Sequence, residues 1–247
     1  MTTPLPPVLL LGARSDMARA IALAYAKRGH PIQLAARRPE DLAEMQTDLQ
    51  LRGSTPVTSH AFDALDLDSH AGFLDALPEL PRIAICAIGQ MGEQDENEQD
   101  MALHSQVLRA NFEGPANIFA LLANRFAERG SGTLVGISSV AGLRGRATNY
   151  IYGAAKAGFT AYLSGLRNRL SSQNVHVVTV LPGFVNTAMT ADLDLPARLT
   201  AEPEEVAQAV LGAVDRKRNI IYVRPIWRLV MAVICAIPET MFKKMKI

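Results

Sequence analysis

Short apolar runs alternate with longer amphipathic stretches along most of the chain. The apolar runs fall at Val8–Leu11, Ile32–Ala35, Pro56–Ala61, Ile83–Ala87, Gly132–Ser138, Val175–Leu181 and Ile220–Val223. Runs without polar alternation are typical of strands buried on both faces of a parallel sheet. The stretches between them predict helices near Asp16–Arg28, Pro39–Arg52, Asn97–Arg129, Tyr150–Ser171 and Pro203–Arg216.

This alternation of strands and helices predicts an α/β fold. The arrangement is a single-domain, doubly wound parallel sheet of about seven strands flanked by helices, which is Rossmann-like. No linker, repeat or low-complexity tract divides residues 1–223, so we expect one domain there, followed by an apolar and basic tail at residues 224–247. Ligands of such sheets bind beyond the carboxyl ends of the strands. The functional residues are therefore expected at those ends.

The bulk composition narrows the functional classes. The chain has 247 residues, of which 49% are hydrophobic, so it can bury a large core. Its net charge of +1 gives no reason to expect a nucleic-acid partner. Two distant cysteines fit a reducing compartment, and neither a signal peptide nor a membrane-spanning run is found, so we expect a cytoplasmic protein. The five histidines have no ligand spacing, so no metal site is predicted.

The turn LGARSDMA, residues 11–18, joins the first strand to the first helix. Gly12 can adopt a backbone conformation closed to other residues. The free N–H groups and the positive dipole end of the helix would then hold a pyrophosphate. We predict cofactor contacts from Gly12, Arg14, Ser15, Asp16 and Met17, with the Asp16 carboxylate turned away from the phosphates. An ordinary strand-to-helix turn remains the alternative.

The second strand ends in Arg37 and Arg38, where an acidic residue would bind the ribose 2′-hydroxyl of NAD. Arginine instead matches the 2′-phosphate of NADP, and Arg14 is near enough in the fold to join them. Ordinary solvated charges are the alternative interpretation. Asp63, at the end of the third strand, either accepts from the adenine amino group or caps the following helix.

A third group of polar residues follows the fifth strand. Ser139 lies at the strand end, and Tyr152 and Lys156 lie four residues apart on one face of the next helix. An ammonium near a phenol favours phenolate, so we expect a lowered pKa for Tyr152. The phenol would then exchange a proton with a substrate oxygen that Ser139 holds in place.

These motifs resemble those of the short-chain dehydrogenase/reductase family over nearly the whole chain. Ser139, Tyr152 and Lys156 have the spacing of the family's catalytic residues, and Asn111 matches its catalytic asparagine. The resemblance implies that Asn111 bends a long helix and supports a water chain to the lysine. It also implies that Lys156, together with Tyr152, contacts the cofactor.

The same resemblance implies further contacts with NADP(H). The segment LPGFVNT, residues 181–187, matches the family's nicotinamide-binding segment, which assigns contacts to Pro182, Gly183, Val185 and Thr187. Two motifs depart from the family pattern. Asp16 and Ala18 replace glycines of the phosphate loop, and Cys86-Ala87-Ile88-Gly89 keeps only the final Gly89 of the family's Asn-Asn-Ala-Gly.

The resemblance implies reduction of a carbonyl to a secondary alcohol by hydride transfer, with Tyr152 as the proton donor. Two alternatives stay open: oxidation of a small alcohol metabolite with NADP, and a nucleotide-binding sensor or scaffold without catalysis. The loop after Ser139 contains Arg144 and Arg146, which either meet an anionic substrate or are solvated.

The tail reads PIWRLVMAVICAIPETMFKKMKI, a short apolar stretch with a basic end. Such a segment suits an interfacial position on an anionic membrane, and packing on protein is the alternative. Together with the residue 139–170 region it resembles decaprenylphosphoryl 2-keto-ribose reductases, which implies a lipid-linked or apolar carbonyl substrate at the inner face of the membrane. The family resemblance also implies a homodimer or homotetramer built on the helices at Asn97–Arg129 and Tyr150–Ser171.

Overall fold

The computed structural model describes residues 5–53, 56–191 and 194–245. Its main sheet has seven parallel strands in the order β3-β2-β1-β4-β5-β6-β9. The strands are β1 Val8–Leu11, β2 Ile32–Ala36, β3 Val57–Ala61, β4 Ile83–Cys86, β5 Gly132–Ile137, β6 Val175–Leu181 and β9 Ile220–Tyr222. A two-stranded parallel sheet is formed by β7 (Phe184–Val185) and β8 (Thr200–Ala201). The predicted single-domain, Rossmann-like fold is confirmed, and each predicted strand lies within about one residue of its place.

Helices cover both faces of the main sheet. They are α1 Asp16–Ala26, α2 Ala43–Leu51, α3 Ser69–Asp75, α4 Gln94–Gln99, α5 Met101–Leu108, α6 Gly114–Arg129, α7 Tyr150–Leu170, α8 Pro203–Asp215, α9 Ile226–Ala236 and α10 Glu239–Phe242. The seven-residue helix α3 was not predicted from the sequence, because it is too short to show a helical period.

The core explains why the strands are apolar throughout. Along β1, Val8 and Leu10 point to one side of the sheet and join α1 and α8, whereas Leu9 and Leu11 point to the other side and join α6 and α7. All four side chains are completely buried. Because both faces of the strand are covered, alternation of polar and apolar residues is absent.

The prediction of one helix over Asn97–Arg129 is wrong in part. Asp100 interrupts it with an extended backbone, and its carboxylate accepts hydrogen bonds from the N–H groups of Ala102 and Leu103, so that it caps α5. A π-helical turn, Arg109–Glu113, then joins α5 to α6. Such turns widen a helix locally and are frequent at functional sites.

The apolar side of α7 lies within the chain's own core. Phe159, Leu163, Leu166 and Leu170 are all buried in the cluster beneath the sheet. An apolar face on this helix could serve either core packing or an interface between subunits, and the structure shows that these four residues serve the core. The homodimer or homotetramer stays a prediction, to be built on other surfaces of these helices.

The tail begins with helix α9, which has two different sides. Trp227 and Met231 are buried against Val140 and Leu181, at the carboxyl end of β6. The other side leaves large apolar residues exposed, namely Ile226, Leu229 and Val233. No helix within the described residues is long and apolar enough to cross a membrane.

Candidate active site

A cavity of about 720 Å³ opens at the carboxyl ends of β1 to β4. Gly12 forms its floor with φ of +80°, and a Cβ atom there would lie 3.0 Å from the backbone nitrogen of Ile88. Both the conformation and the space therefore require glycine, which leaves the backbone open to a ligand. Arg14 and Ser15 also line this cavity, as predicted for a phosphate-binding turn.

The remaining residues of this turn face the neighbouring segment. Asp16 occupies the first turn of α1, and its carboxylate accepts a hydrogen bond of 2.9 Å from the N–H of Ala188. The carboxylate thus points toward the segment after β6, which fits the expectation that it turns away from a phosphate. Met17 lines a second cavity, described below.

The three arginines near the end of β2 line the first cavity together. Arg14 and Arg38 each form an ion pair of 2.9 Å with the single carboxylate of Asp41. Arg37 is exposed and has no ion pair among the residues that the structure describes. Of the three, Arg37 is therefore the cation that remains available to a ligand.

Asp63 and Gly89 also line the first cavity. The Asp63 carboxylate accepts from the N–H of Leu65 at 3.0 Å, so it closes the turn after β3 while it faces the cavity. Gly89 lies at the inner end of the cavity, where an added Cβ would be 3.6 Å from the Lys156 ammonium nitrogen and 3.4 Å from the Asn111 amide oxygen. The first cavity thus ends beside two residues of the predicted catalytic group.

A second, larger cavity of about 970 Å³ lies beyond the ends of β5 and β6. It holds most of the other predicted residues, namely Met17, Ser139, Tyr152, Pro182, Gly183, Val185 and Thr187. Met189, which also lines it, approaches to 3.8 Å from the position of a Cβ on Gly89. The two cavities therefore meet at Gly89.

Ser139 and its neighbour Ser138 position the start of α7. Ser138 is buried, donates a hydrogen bond of 3.0 Å to the carbonyl of Lys156, and lies 2.7 Å from the Thr160 hydroxyl, which ties α7 to the end of β5. The Ser139 hydroxyl accepts from the N–H of Ala141 at 3.1 Å. Its hydroxyl also interacts with the phenol of Tyr152, so the two side chains face the second cavity together.

The pKa of the Tyr152 phenol is not lowered by Lys156 as expected. The Lys156 ammonium lies 5.6 Å from the centre of the Tyr152 ring. Burial raises the pKa of Tyr152 to about 12, although the Ser139 hydroxyl opposes the shift. The expectation is wrong because the cost of burying a phenolate is the largest influence on this pKa, and the opposing influence comes from the Ser139 hydroxyl and not from Lys156.

Lys156 is held deep behind the cavity wall. It is 2% exposed, and its ammonium donates to the carbonyls of Ile88 at 3.3 Å and Ile137 at 3.2 Å. Burial lowers the pKa of this lysine to about 8. A lysine of this kind carries a proton at neutral pH and releases it readily.

Asn111 lies in the π-helical turn and is completely buried. Its side-chain nitrogen donates to the carbonyls of Gln90 at 2.6 Å and Val107 at 2.8 Å, and its oxygen accepts from the N–H of Gln90 at 3.2 Å. The amide thus fastens the segment after β4 to the widened helix. Asn111 therefore lies near Gly89 and Lys156. It lies in the π-helical turn, where the long helix loses its regular α-helical geometry.

Trp227 belongs to the second cavity, although sequence reasoning placed it in a separate tail. Its indole N–H donates to the carbonyl of Leu199 at 3.0 Å, and its ring packs edge-on against Phe184. A Cβ on Gly183 would overlap the indole ring, so this glycine is required by the tail itself. The apolar run around Trp227 gave no signal for this long-range contact.

Comparisons with known proteins place this chain in a family. The short chain dehydrogenase family matches residues 7–197. An uncharacterised oxidoreductase of Mycobacterium tuberculosis is 32% identical over 242 residues, which covers 97% of this chain and 96% of that protein. The chain therefore belongs to the short-chain dehydrogenase/reductase family, whose members are oxidoreductases that use a nicotinamide cofactor.

Two solved structures share the fold along nearly the whole chain. A short-chain dehydrogenase from Sphingobium yanoikuyae in complex with NADPH is 25% identical with a TM-score of 0.79, and the match covers 95% of this chain and 97% of that one. A bulky-bulky ketone specific alcohol dehydrogenase from Comamonas testosteroni is 25% identical with a TM-score of 0.78, and 96% of each chain is covered.

Proposed function

We propose that this oxidoreductase uses NADPH to reduce a carbonyl compound to a secondary alcohol. The observation that carries the proposal is the meeting of the two cavities at Gly89, with Lys156 and Asn111 behind the junction and Ser139 and Tyr152 in the second cavity. A dinucleotide in the first cavity would thus end beside a proton donor.

The first cavity has the features that NADP(H) requires. Gly12 keeps the pyrophosphate position free of side-chain atoms, and the N-terminus of α1 adds a positive dipole. The unpaired Arg37 would bind the 2′-phosphate, while Ala36 at the end of β2 provides no carboxylate for a ribose 2′-hydroxyl. Thr187 and the backbone around Val185 would hold the nicotinamide end. The bound cofactor supplies the hydride.

The residues of the second cavity supply positioning and a proton. Ser139, whose hydroxyl interacts with Tyr152 in the free protein, would donate its proton to the substrate carbonyl oxygen. Tyr152 would give the proton that this oxygen takes up, since a phenol with a raised pKa stays protonated at neutral pH. Lys156 would return a proton to Tyr152, and Asn111 is a positioning residue that holds the segment carrying Gly89.

The experiment that tests this function is a titration with NADPH and NADH, followed by nicotinamide fluorescence. We expect NADPH to bind at least about tenfold more tightly, because a charge-assisted contact with a phosphate contributes roughly 1.5–3 kcal/mol. Equal affinities would contradict the role of Arg37. Absence of binding by either nucleotide would contradict the enzymatic function and favour a structural role for the chain.

The size and lining of the second cavity support a bulky or apolar substrate. Its wall includes Val140, Phe184, Met189 and Trp227, and its volume is larger than that of the cofactor cavity. The resemblance to decaprenylphosphoryl 2-keto-ribose reductases and the bulky ketone in the name of the Comamonas testosteroni enzyme point the same way. We therefore place lipid-linked ketones first among the substrates to be tested.

The outer side of the tail supports a membrane-bound location. Leu229 and Val233 are exposed on α9, and Lys243 and Lys244 follow α10. An exposed apolar face next to lysines would bind the surface of an anionic bilayer, with about 1 kcal/mol from each lysine. The proposed location is the cytoplasmic face of the membrane, where α9 would bring the cavity lined by Trp227 close to a lipid-linked substrate.

Vesicle binding tests the location separately from the activity. A double variant, Leu229→Gln with Val233→Gln, should lose affinity for vesicles that contain anionic lipid, while its NADPH affinity stays unchanged. Both positions are exposed, so the buried side of α9 is preserved. If the unchanged protein binds these vesicles no better than the double variant, the membrane location is wrong. The homodimer or homotetramer is tested in the same samples by light scattering.

A further inference from the structure

The loop between Ser139 and α7 contains two arginines in different surroundings. Arg144 is fully engaged by the tail. Its guanidinium donates to the carboxylate of Glu239 at 2.7 Å and to the carbonyl of Ile237 at 3.3 Å, and it stacks 4.1 Å from the centre of the Phe242 ring. Its charge is therefore neutralised within the chain.

Arg146 has none of these partners. Its side chain lines the second cavity and is half-buried. The Nε atom is buried without a hydrogen-bond partner, and the side chain has no ion pair among residues 5–53, 56–191 and 194–245. Burial lowers the pKa of this guanidinium, with no contribution from a neighbouring carboxylate.

The same corner of the cavity contains a second unsatisfied polar atom. The side-chain oxygen of Asn149 is buried without a hydrogen-bond partner. A backbone hydrogen bond of 3.1 Å from Asn149 to the carbonyl of Arg146 holds the two residues in one turn. The Arg146 Nε–H needs an acceptor and the Asn149 oxygen needs a donor, so leaving both unsatisfied is costly unless a ligand or water supplies these partners.

The acidic residues of the cavity do not provide the missing partner. Glu93, Asp95 and Glu96 line its other wall, are exposed to solvent, and form no ion pair with Arg146. A guanidinium that has lost part of its hydration without gaining a counter-charge is unfavourable in the free protein. A carboxylate or a phosphate would reverse that cost, because two of its oxygens accept parallel hydrogen bonds from the planar guanidinium.

We propose that Arg146 binds an oxyanion group of the substrate, so that the carbonyl compounds reduced here carry a phosphate or a carboxylate. This inference rests on the proposed function, because it takes the second cavity as the substrate site. Arg146 is then a substrate-binding residue that determines specificity, and Arg144 holds the tail in place.

Calorimetric titration with inorganic phosphate and with acetate tests the anion site directly. The protein is first saturated with NADP⁺, which occupies the arginines of the first cavity. We expect one site with a Kd of about 1–10 mM, weakened at least about tenfold in Arg146→Gln and less in Arg146→Lys. Comparing phosphate with acetate shows which oxyanion is preferred. Absence of binding, or equal binding by Arg146→Gln, overturns the proposal.

A matched control removes the same charge nearby. Arg228 lies on α9 next to Trp227, is exposed, and lines neither cavity. Arg228→Gln should keep the phosphate affinity, whereas an equal loss in both variants would mean that only net charge matters and would also overturn the proposal. The phosphate titration is repeated without nucleotide in the Arg37→Gln background. Phosphate binding that depends on Arg146 in this experiment supports the anion site even if the protein does not bind NADP⁺. The anion site and the proposed function can therefore fail separately.

Turnover provides a second readout. Dihydroxyacetone phosphate and dihydroxyacetone present the same carbonyl with and without the anion. We expect kcat/KM with NADPH to favour the phosphate at least about tenfold, and this ratio to fall toward one in Arg146→Gln. A ratio that is unchanged by Arg146→Gln would contradict the assignment.

Discussion

The two cavities of the site are built in different ways. The first is formed by the turns that directly follow β1, β2, β3 and β4, so all of its lining residues except Ala110 are near a strand end in the sequence. The second combines the segments after β4 and β6, the loop after β5, the start of α7 and helix α9, and the hydrogen bond from Trp227 to Leu199 that positions its indole spans 28 positions. The first follows from the sheet, whereas the second depends on long-range packing of side chains.

This difference predicts two kinds of mutational effect. Changes in the first cavity should alter the affinity for nucleotide, whatever substrate is used. Changes at the substrate-facing residues of the second, such as Ser139 and Arg146, should alter turnover or substrate choice and leave nucleotide affinity intact. Tyr152 and Lys156 lie close to the junction of the two cavities, so they are the most sensitive test of the separation.

The largest effect is expected for Tyr152→Phe. Removing the phenol proton should reduce kcat by about 10²–10⁴-fold, the range of a general acid. NADPH affinity should change little, because the ring and its packing remain. Steady-state kinetics and the fluorescence titration are measured on the same preparation. Turnover that survives the substitution would show that another group donates the proton, and a parallel loss of NADPH binding would show that the two cavities are not separable here.

Arg37→Gln should act only on the first cavity. We expect NADPH affinity to fall by about 10–100-fold and NADH affinity to be nearly unchanged, because only the 2′-phosphate contact is lost. Arg38→Gln is the matched control, since Arg38 is already paired with Asp41. A larger effect for Arg38→Gln than for Arg37→Gln would reverse the assignment of the phosphate-binding arginine.

The buried lysine at the junction predicts a pH dependence of stability. Its pKa is lowered to about 8 in the folded chain, below the ordinary value of 10.5. Below pH 8 both states are protonated and the folded state bears the full cost of a buried charge. Between pH 8 and 10.5 the unfolded chain binds more protons, so the free energy of unfolding rises with pH on account of this residue.

Lys156→Met removes that contribution. At pH 7 the variant should have a free energy of unfolding about 1–2 kcal/mol higher than that of the unchanged protein. A shift of one pKa unit corresponds to roughly 1.4 kcal/mol, and the expected gain is set below the full value because Met loses the hydrogen bonds of the ammonium. The gap should narrow between pH 8 and 10, as measured by urea unfolding of both proteins. A gap that stays constant across this range would mean that Lys156 does not titrate there.

The sequence predicted the sheet and the first cavity well for a common reason. Apolar runs define β1 to β6, and the turn after each strand then has only one edge of the sheet to occupy. Gly12 and Arg37 were found because their neighbours along the chain decide where they lie. Local pattern does not show which of Arg14, Arg37 and Arg38 is paired, since Asp41 decides that through side-chain geometry.

The second cavity was predicted only where a motif marks it. Ser139 and Tyr152 were found by their spacing, but the direction of the Tyr152 pKa shift was wrong because burial is a property of the whole fold. The indole of Trp227 reaches the cavity through contact with Gly183 and Leu199, which lie far away in the sequence. No periodicity in the tail carries that information.

The smallest effect is expected where the tail meets the loop after β5. Arg144 donates to the carbonyls of Cys235 and Ile237 at the end of α9, where a cation also opposes the negative end of the helix dipole. Its partner Glu239 is largely exposed, so the ion pair contributes less than about 1 kcal/mol. Arg144→Gln should therefore speed amide hydrogen exchange in residues 232–242 several-fold and leave exchange in β1 and α1 unchanged. Because Trp227 packs independently of Arg144, NADPH affinity should not move. Faster exchange throughout the chain would show that the tail stabilises the whole domain. The first cavity would then also depend on the tail, and the distinction between the two cavities would be wrong.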